Sequence, residues 1–265
     1  MTLLAAAVAG RGLVDPAAPV FAADDEALLR GSAAFETLPV YGGRPFRLEP
    51  HIERLRFSAV TLGLPPVDGA AELVRLLARS APDCMLRVYR TQHDLVATAA
   101  AFPADLEELR ARGLAVQTVE TGSPAGLLAG VKSTSYAFAF AARRAAAAAG
   151  ADDVIFTAGG RVLEAATANV WWRVGAVLFT PATGPGVLPG VTREAVWELA
   201  QELAYEVAEG AFPLDELIAA DEAFETSSIR EVVPIVSVDG KAVGEGGGGA
   251  AAGRLQAALR LLSRP

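Results

Sequence analysis

Residues 121–130, TGSPAGLLAG, constrain the fold of this chain more than any other stretch. Glycine and proline recur there without a single charge, so neither a helix nor a strand runs through it. On each side lie both strand-like and helix-like segments, without regular βαβ alternation. That pattern predicts an α+β protein of two subdomains. The expected parts are a small N-terminal subdomain over 1–120, a linker over 121–131 and a larger C-terminal subdomain over 132–265. At 265 residues the chain is long enough for each part to have a core.

Before the linker, residues 1–12 read as a first strand and turn. Strands are predicted over 38–41 and 46–48 around a Gly-Gly turn. A helix is predicted over 50–62, where Ile52, Leu55, Ala59 and Leu62 recur at helical spacing. A second helix is expected over 69–80, paired strands over 84–90 and 95–101, a helix over 105–112 and a strand over 114–120. After the linker come a helix over 135–149, a hairpin over 153–163 and strands over 169–174 and 176–180. A Gly/Pro loop then feeds a helix at 191. A strand over 232–238 and a closing helix over 253–263 follow.

Composition removes several function classes. Hydrophobic residues make up 52% and charged residues 20%, which excludes a disordered chain. The net charge of −8 offers no basic block for nucleic acid. The single cysteine, Cys84, cannot form an intramolecular disulfide. With only His51 and His93 beside it, no metal site is expected. The start lacks a basic segment, and no long uncharged apolar run appears, since Arg143 and Arg144 interrupt the alanine-rich stretch. A cytoplasmic enzyme without a membrane partner is the expectation.

Two of the 23 basic residues, Lys132 and Lys241, are lysines; the rest are arginines. A lysine that persists against such a bias suggests that an amine is required, because arginine stays protonated. Lys132 lies in GVKSTSY before an apolar helix. It is either a surface lysine at a helix start or an amine held away from water, which can act as a nucleophile. In GVLPGVTRE, Val191 and Thr192 open a helix, with Thr192 as the expected cap; that start is an ordinary capped helix or an anion site. Glu164 and Asn169 lie in LEAATAN, where the glutamate either faces water or holds a cationic nitrogen. Arg54, in HIERL, falls off the apolar face of its helix and is either solvated or directed at a phosphate.

Taken in order, these motifs resemble one family, the fold-type IV pyridoxal-phosphate enzymes. The group includes D-amino-acid and branched-chain aminotransferases, (R)-amine transaminases and aminodeoxychorismate lyase. The likeness runs from RGSAAFETLPVYGGRPFRLEPHIERL to SSIREVVPIVSVDG, about residues 30 to 240. It implies that Lys132 forms the internal aldimine with pyridoxal 5'-phosphate and that Glu164 pairs with the pyridine nitrogen. Arg54, Val191, Thr192 and Ser228, with Ser227 beside it, would bind the phosphate; Asn169 and Tyr136 would also approach the cofactor.

On the substrate side the resemblance suggests Arg30, Phe35, Thr37, Arg87, Arg90, His93, Ile229 and Arg230. Arg90 and His93 approximate the Arg-x-His pair of D-amino-acid enzymes. Arg87 is similar in position to a carboxylate-binding arginine of branched-chain relatives. Thr37, in FET, is shared with aminodeoxychorismate lyases. The implied function is transamination between a D-amino acid or (R)-amine and a 2-keto acid. The alternatives are pyruvate elimination from aminodeoxychorismate, and branched-chain L-amino-acid transamination. A homodimer is implied as well.

Overall fold

The computed structural model describes residues 2–122 and 128–264. The linker expectation, 121–131, falls in part on 123–127, outside the described residues. The chain divides into two compact units. The first contains Met1–Pro103, Val131–Tyr136 and Ser263–Pro265; the second contains Ala104–Gly130 and Ala137–Leu262. The mixed α+β class agrees with the sequence pattern. The parts themselves differ from cuts at 120 and 132. Residues 104–120 go with the second unit, and the segment bearing Lys132 goes with the first.

In the first unit the elements are β1 (Leu3–Val8), β2 (Gly12–Val14), α1 (Glu26–Arg30), β3 (Ala34–Tyr41), β4 (Arg44–Pro45), α2 (Leu48–Thr61), α3 (Ala70–Ser80), β5 (Cys84–Arg90) and β6 (Leu95–Ala100). The strands form one antiparallel sheet in the order β2-β1-β6-β5-β3-β4. A strand at 46–48 does not form. Residue 48 already begins α2, and the hairpin closes earlier, with Tyr41 opposite Arg44.

Strand alternation sorts this sheet into two faces. Ala34, Leu38, Leu86, Val88, Ala97 and Ala99 pack with Ile52, Leu55, Leu73 and Leu77 of α2 and α3. Phe35, Thr37, Arg87, Tyr89 and Thr98 lie at the alternate positions and are half-buried. Residues 131–134 run beside β3, with Ser133 bridged to Ala34.

The second unit holds α4 (Leu106–Arg112), β7 (Leu114–Glu120), α5 (Ala137–Ala148), β8 (Asp153–Ala158), β9 (Arg161–Ala165), β10 (Asn169–Val174), β11 (Val177–Pro181), α6 (Val191–Glu202), β12 (Glu206–Gly210), α7 (Leu214–Ile218), β13 (Glu222–Ser227), β14 (Glu231–Val238), β15 (Lys241–Ala242) and α8 (Ala250–Ser263). Its sheet runs β12-β11-β10-β13-β14-β7-β8-β9, with β15 on β14. Parallel pairing of β7 with both β14 and β8 explains why residues 104–120 belong here. Trp172, Val170, Val233, Ile235 and Leu217 fill the core beneath it. No described helix is long and apolar enough to cross a membrane.

The turn from α4 into β7 depends on Gly113. Its φ is +73° and its ψ −177°, a conformation essentially confined to glycine. A Cβ there would lie 2.5 Å from Val236 Cγ1 and 3.2 Å from the Pro234 carbonyl. Gly113→Ala should therefore lower the unfolding free energy by about 2 kcal/mol or more, read from urea midpoints at constant m. An unchanged midpoint would contradict this account of the turn.

Candidate active site

In the first unit, Lys132 is held through its backbone. Its N–H donates to Ser58 Oγ at 3.0 Å, and its carbonyl accepts from the Phe35 N–H at 3.0 Å. Next to it, the Thr134 N–H donates to the Ala33 carbonyl at 2.9 Å. The side chain turns toward aromatic groups. Nζ lies 4.7 Å from the Phe35 ring centroid and 3.3 Å from Tyr136 Oη, to which it donates. Phe35 also stacks on Tyr89 and meets Tyr136 edge-on. The half-buried sheet face thus carries an amine, a phenol and two further aromatic rings.

On the same face Arg87 stands opposite Thr37 on one neighbouring strand and Thr98 on the other. Burial raises the Tyr89 phenol above its usual range, while hydrogen bonds to Arg87 and Thr98 pull it back. The other proposed arginines have different surroundings. Arg30 is exposed and pairs with Glu26 on α1. Arg90 Nε donates to the Pro65 carbonyl at 3.1 Å. His93 is exposed, in a turn where its N–H meets Thr91 Oγ1.

Arg54 is buried, not solvated, and Glu36 is its partner. Nε donates to Glu36 Oε1 at 2.7 Å and Nη2 to Oε2 at 2.8 Å, a bidentate geometry. His51 Nδ1 lies 2.7 Å from Oε2. Because a carboxylate only accepts, that nitrogen carries the proton. Burial pushes the His51 pKa down; the Glu36 charge opposes this, and Arg54 and Lys132 reinforce it. Burial alone would raise Glu36, but Arg54 and His51 outweigh it and hold the carboxyl down to about 2. The inward face of α2 therefore contains His51, Arg54 and Ser58 beside Ile52, Leu55 and Ala59.

Sequence reasoning missed Glu36, His51 and Ser58. A signal was available. Residues 51, 54 and 58 share one helix face, and Glu36 sits between Ala34 and Leu38 on the inward side of a strand.

In the second unit, Glu164 on β9 accepts from the Leu188 N–H at 2.8 Å and from Asn169 Nδ2 at 3.3 Å. Asn169 Nδ2 also donates to the Leu188 carbonyl at 2.9 Å. These bonds press the 188–190 loop onto the sheet. A Cβ on Gly190 would lie 2.0 Å from Asn169 Oδ1, so only glycine fits. Gly190, not Thr192, is the N-cap of α6, and it has no side chain with which to cap it. Val191 and Thr192 are buried in the first turn. Arg193 anchors that turn, lying over Trp171 and Trp197 with Nη2 3.0 Å from Glu209.

Ser227, Ser228 and Ile229 are half-buried where β13 turns toward β14. Arg110 holds this turn by donating to the carbonyls of Arg230, at 2.9 Å, and Ile229, at 3.2 Å. Arg230 Nη1 lies 2.7 Å from both Asp153 and Glu225, two fully buried carboxylates. Burial raises the Glu225 pKa, which Arg230 opposes. The donor chemistry suits pyridoxal phosphate. Taken by itself, the first unit contains an amine, a phenol and a guanidinium, and the second, taken by itself, contains a carboxylate, a helix start without a side-chain cap and two hydroxyls.

Residues 33–238 match the family described as Amino-transferase class IV. The chain is 29% identical over 254 residues to the D-alanine aminotransferase of Bacillus licheniformis, covering 89% of each. It is also 29% identical over 259 residues to the aminodeoxychorismate lyase of Bacillus subtilis, covering 90% of this chain and 86% of that one. Among solved structures, the PLP-bound form of a hypothetical aminotransferase from Mycobacterium tuberculosis superposes with a TM-score of 0.87 at 27% identity. That match covers 97% of this chain and 98% of the other. The chain belongs to the class IV aminotransferases, pyridoxal-phosphate-dependent enzymes of fold type IV.

Glu36 generates a pH prediction. Its folded pKa, about 2, lies below the ordinary 4.5. Its stabilisation is therefore complete above 4.5 and is lost as the pH falls toward about 2. His51, also lowered, adds a loss below its ordinary 6.5. Glu36→Gln strands a buried guanidinium and should cost about 3–5 kcal/mol at pH 7. That difference from the parent should shrink between pH 4.5 and 2 in urea titrations. A difference independent of pH would contradict it.

Proposed function

We propose that the enzyme moves an amino group between a D-amino acid and a 2-keto acid. What supports this reading is the Lys132 geometry: a backbone held on both sides, with the amine beside the Tyr136 hydroxyl and over Phe35. The curated relative named D-alanine aminotransferase, aligned over most of both chains, supports the choice of donor.

Each residue has a chemical task in this reading. Lys132 would hold the cofactor through its Nζ, and the same amine, when free, would be the base that takes and holds the proton of the substrate's α-carbon. Pyridoxal phosphate, when bound, supplies an electron-poor ring that takes up the electrons left at that carbon. Glu164, steadied by the Leu188 N–H and Asn169, would keep the ring nitrogen protonated through a charge-assisted bond. Tyr136 would donate to the cofactor's phenolic oxygen. The first-turn amides of Val191 and Thr192 and the hydroxyls of Ser227 and Ser228 would hold the phosphate, a role also assigned to the Arg54 guanidinium.

Of the four arginines considered, Arg87 is assigned the substrate carboxylate. It shares the half-buried face with Phe35 and Thr37. Phe35 lies beside the substrate, with Ile229 at the phosphate turn. The enzyme is read as a cytoplasmic homodimer. Exposed Leu28, Leu29, Phe57 and Val60 support the dimer, which light scattering would test.

The alternative is the lyase. Thr37, on the same face as Arg87, and the relative named aminodeoxychorismate lyase favour it. The test is a half-reaction without keto acid. D-alanine should convert the bound cofactor to its amine form and leave it there. Pyruvate release from aminodeoxychorismate, with no change on D-alanine, would establish the lyase instead. Lys132→Ala should slow the D-alanine half-reaction by at least about 10³-fold. Arg87→Met should raise KM for D-alanine by about 10- to 100-fold.

A further inference from the structure

We infer that Ser58 is the positioning residue for Lys132. The inference rests on the reading of Lys132 as the residue that joins the cofactor. Ser58 is fully buried on the inward face of α2, among Leu55 and Ala59. A hydroxyl among apolar side chains requires a hydrogen-bond partner. Its Oγ accepts from the Lys132 backbone N–H at 3.0 Å, across 74 positions of sequence. Thr61, three positions further along the helix, instead donates to the Phe57 carbonyl of its own helix at 2.9 Å, the usual habit of a helical hydroxyl.

The consequence is geometric. The peptide group before Lys132 is held by Ser58, and the one after it by the Phe35 N–H. With both planes held, the direction in which the side chain leaves the backbone is set. Four rotatable bonds then separate that fixed origin from Nζ, and the Phe35 ring and Tyr136 hydroxyl restrict them. Ser58 also follows Arg54 by four residues, one helical turn. A single turn of α2 therefore sets the spacing between the lysine's origin and the guanidinium assigned to the phosphate.

A double-mutant cycle on the full chain tests this. Wild type, Ser58→Ala, Lys132→Ala and the double variant are each titrated with pyridoxal phosphate. Each is then reduced with borohydride, and the fraction of cofactor fixed on residue 132 is read by peptide mass. With Lys132 present, Ser58→Ala should weaken cofactor affinity about tenfold and lower the fixed fraction. With Lys132 replaced by alanine, Ser58→Ala should change affinity less than about twofold, because the group it positions is gone.

Equal losses in both backgrounds would overturn the inference, since Ser58 would then act on the fold at large. No loss in either would overturn it as well. Failure of the underlying reading looks different: borohydride would fix the cofactor on another residue, or still fix it after Lys132→Ala. Should Ser58→Ala not fold, Ser58→Cys, which keeps the volume but is a poor acceptor, enters the same cycle with the same expected outcome.

Discussion

The buried Glu36–Arg54 pair is the interaction on which the first unit's chemistry depends. Taking two charges out of water is costly, and only good geometry with further hydrogen bonds offsets that cost. Both conditions are met. The guanidinium is bidentate on the carboxylate, and His51 supplies a third donor. The pair ties β3 to α2 at one register. β3 carries the Phe35 N–H that holds Lys132 from one side, and α2 carries the Ser58 hydroxyl that holds it from the other. Sliding α2 along β3 would break the ion pair and misplace the amine together.

The second unit uses buried charge in the same way. Asp153 and Glu225 share Arg230, with Arg143 3.3 Å from Asp153. Glu231, the residue after the serine turn, has a φ of +62°, rare for a residue with a side chain. Its carboxylate is bound by Arg110, Arg260 and Gln256, and Gln256 also accepts the Val232 N–H at 2.8 Å. The surroundings therefore determine this backbone conformation from several directions. A turn so constrained presents Ser227 and Ser228 in one arrangement.

How much was legible in the sequence depended on the range of each signal. Lys132, Glu164 and the 188–192 loop stood out from local composition and motif order. α2 is legible from its spacing, yet the same spacing puts Arg54 off the apolar face. Its burial comes from Glu36, 18 positions earlier, which helical spacing alone cannot reveal. β13 had no alternating signal, because Glu222 and Glu225 are buried with arginine partners supplied from elsewhere in the chain. Local sequence points to Thr192 as the cap of α6, but the helix starts after Gly190, whose missing Cβ leaves room for Asn169 of β10.

The sequence by itself determined the fold class, the family and the chemical types available: one amine in a lysine-poor chain, a carboxylate in LEAATAN and a glycine-proline loop before a helix. Such features lie in short windows and in their order, so no folding is needed to read them. Only the tertiary structure decided which charges are buried and paired. It bound Arg230 to two carboxylates, gave Arg54 its anion and set Arg87 between two threonines on the face that carries Lys132. Burial of a charge depends on partners distant in sequence, and strand pairing and helix packing choose those partners.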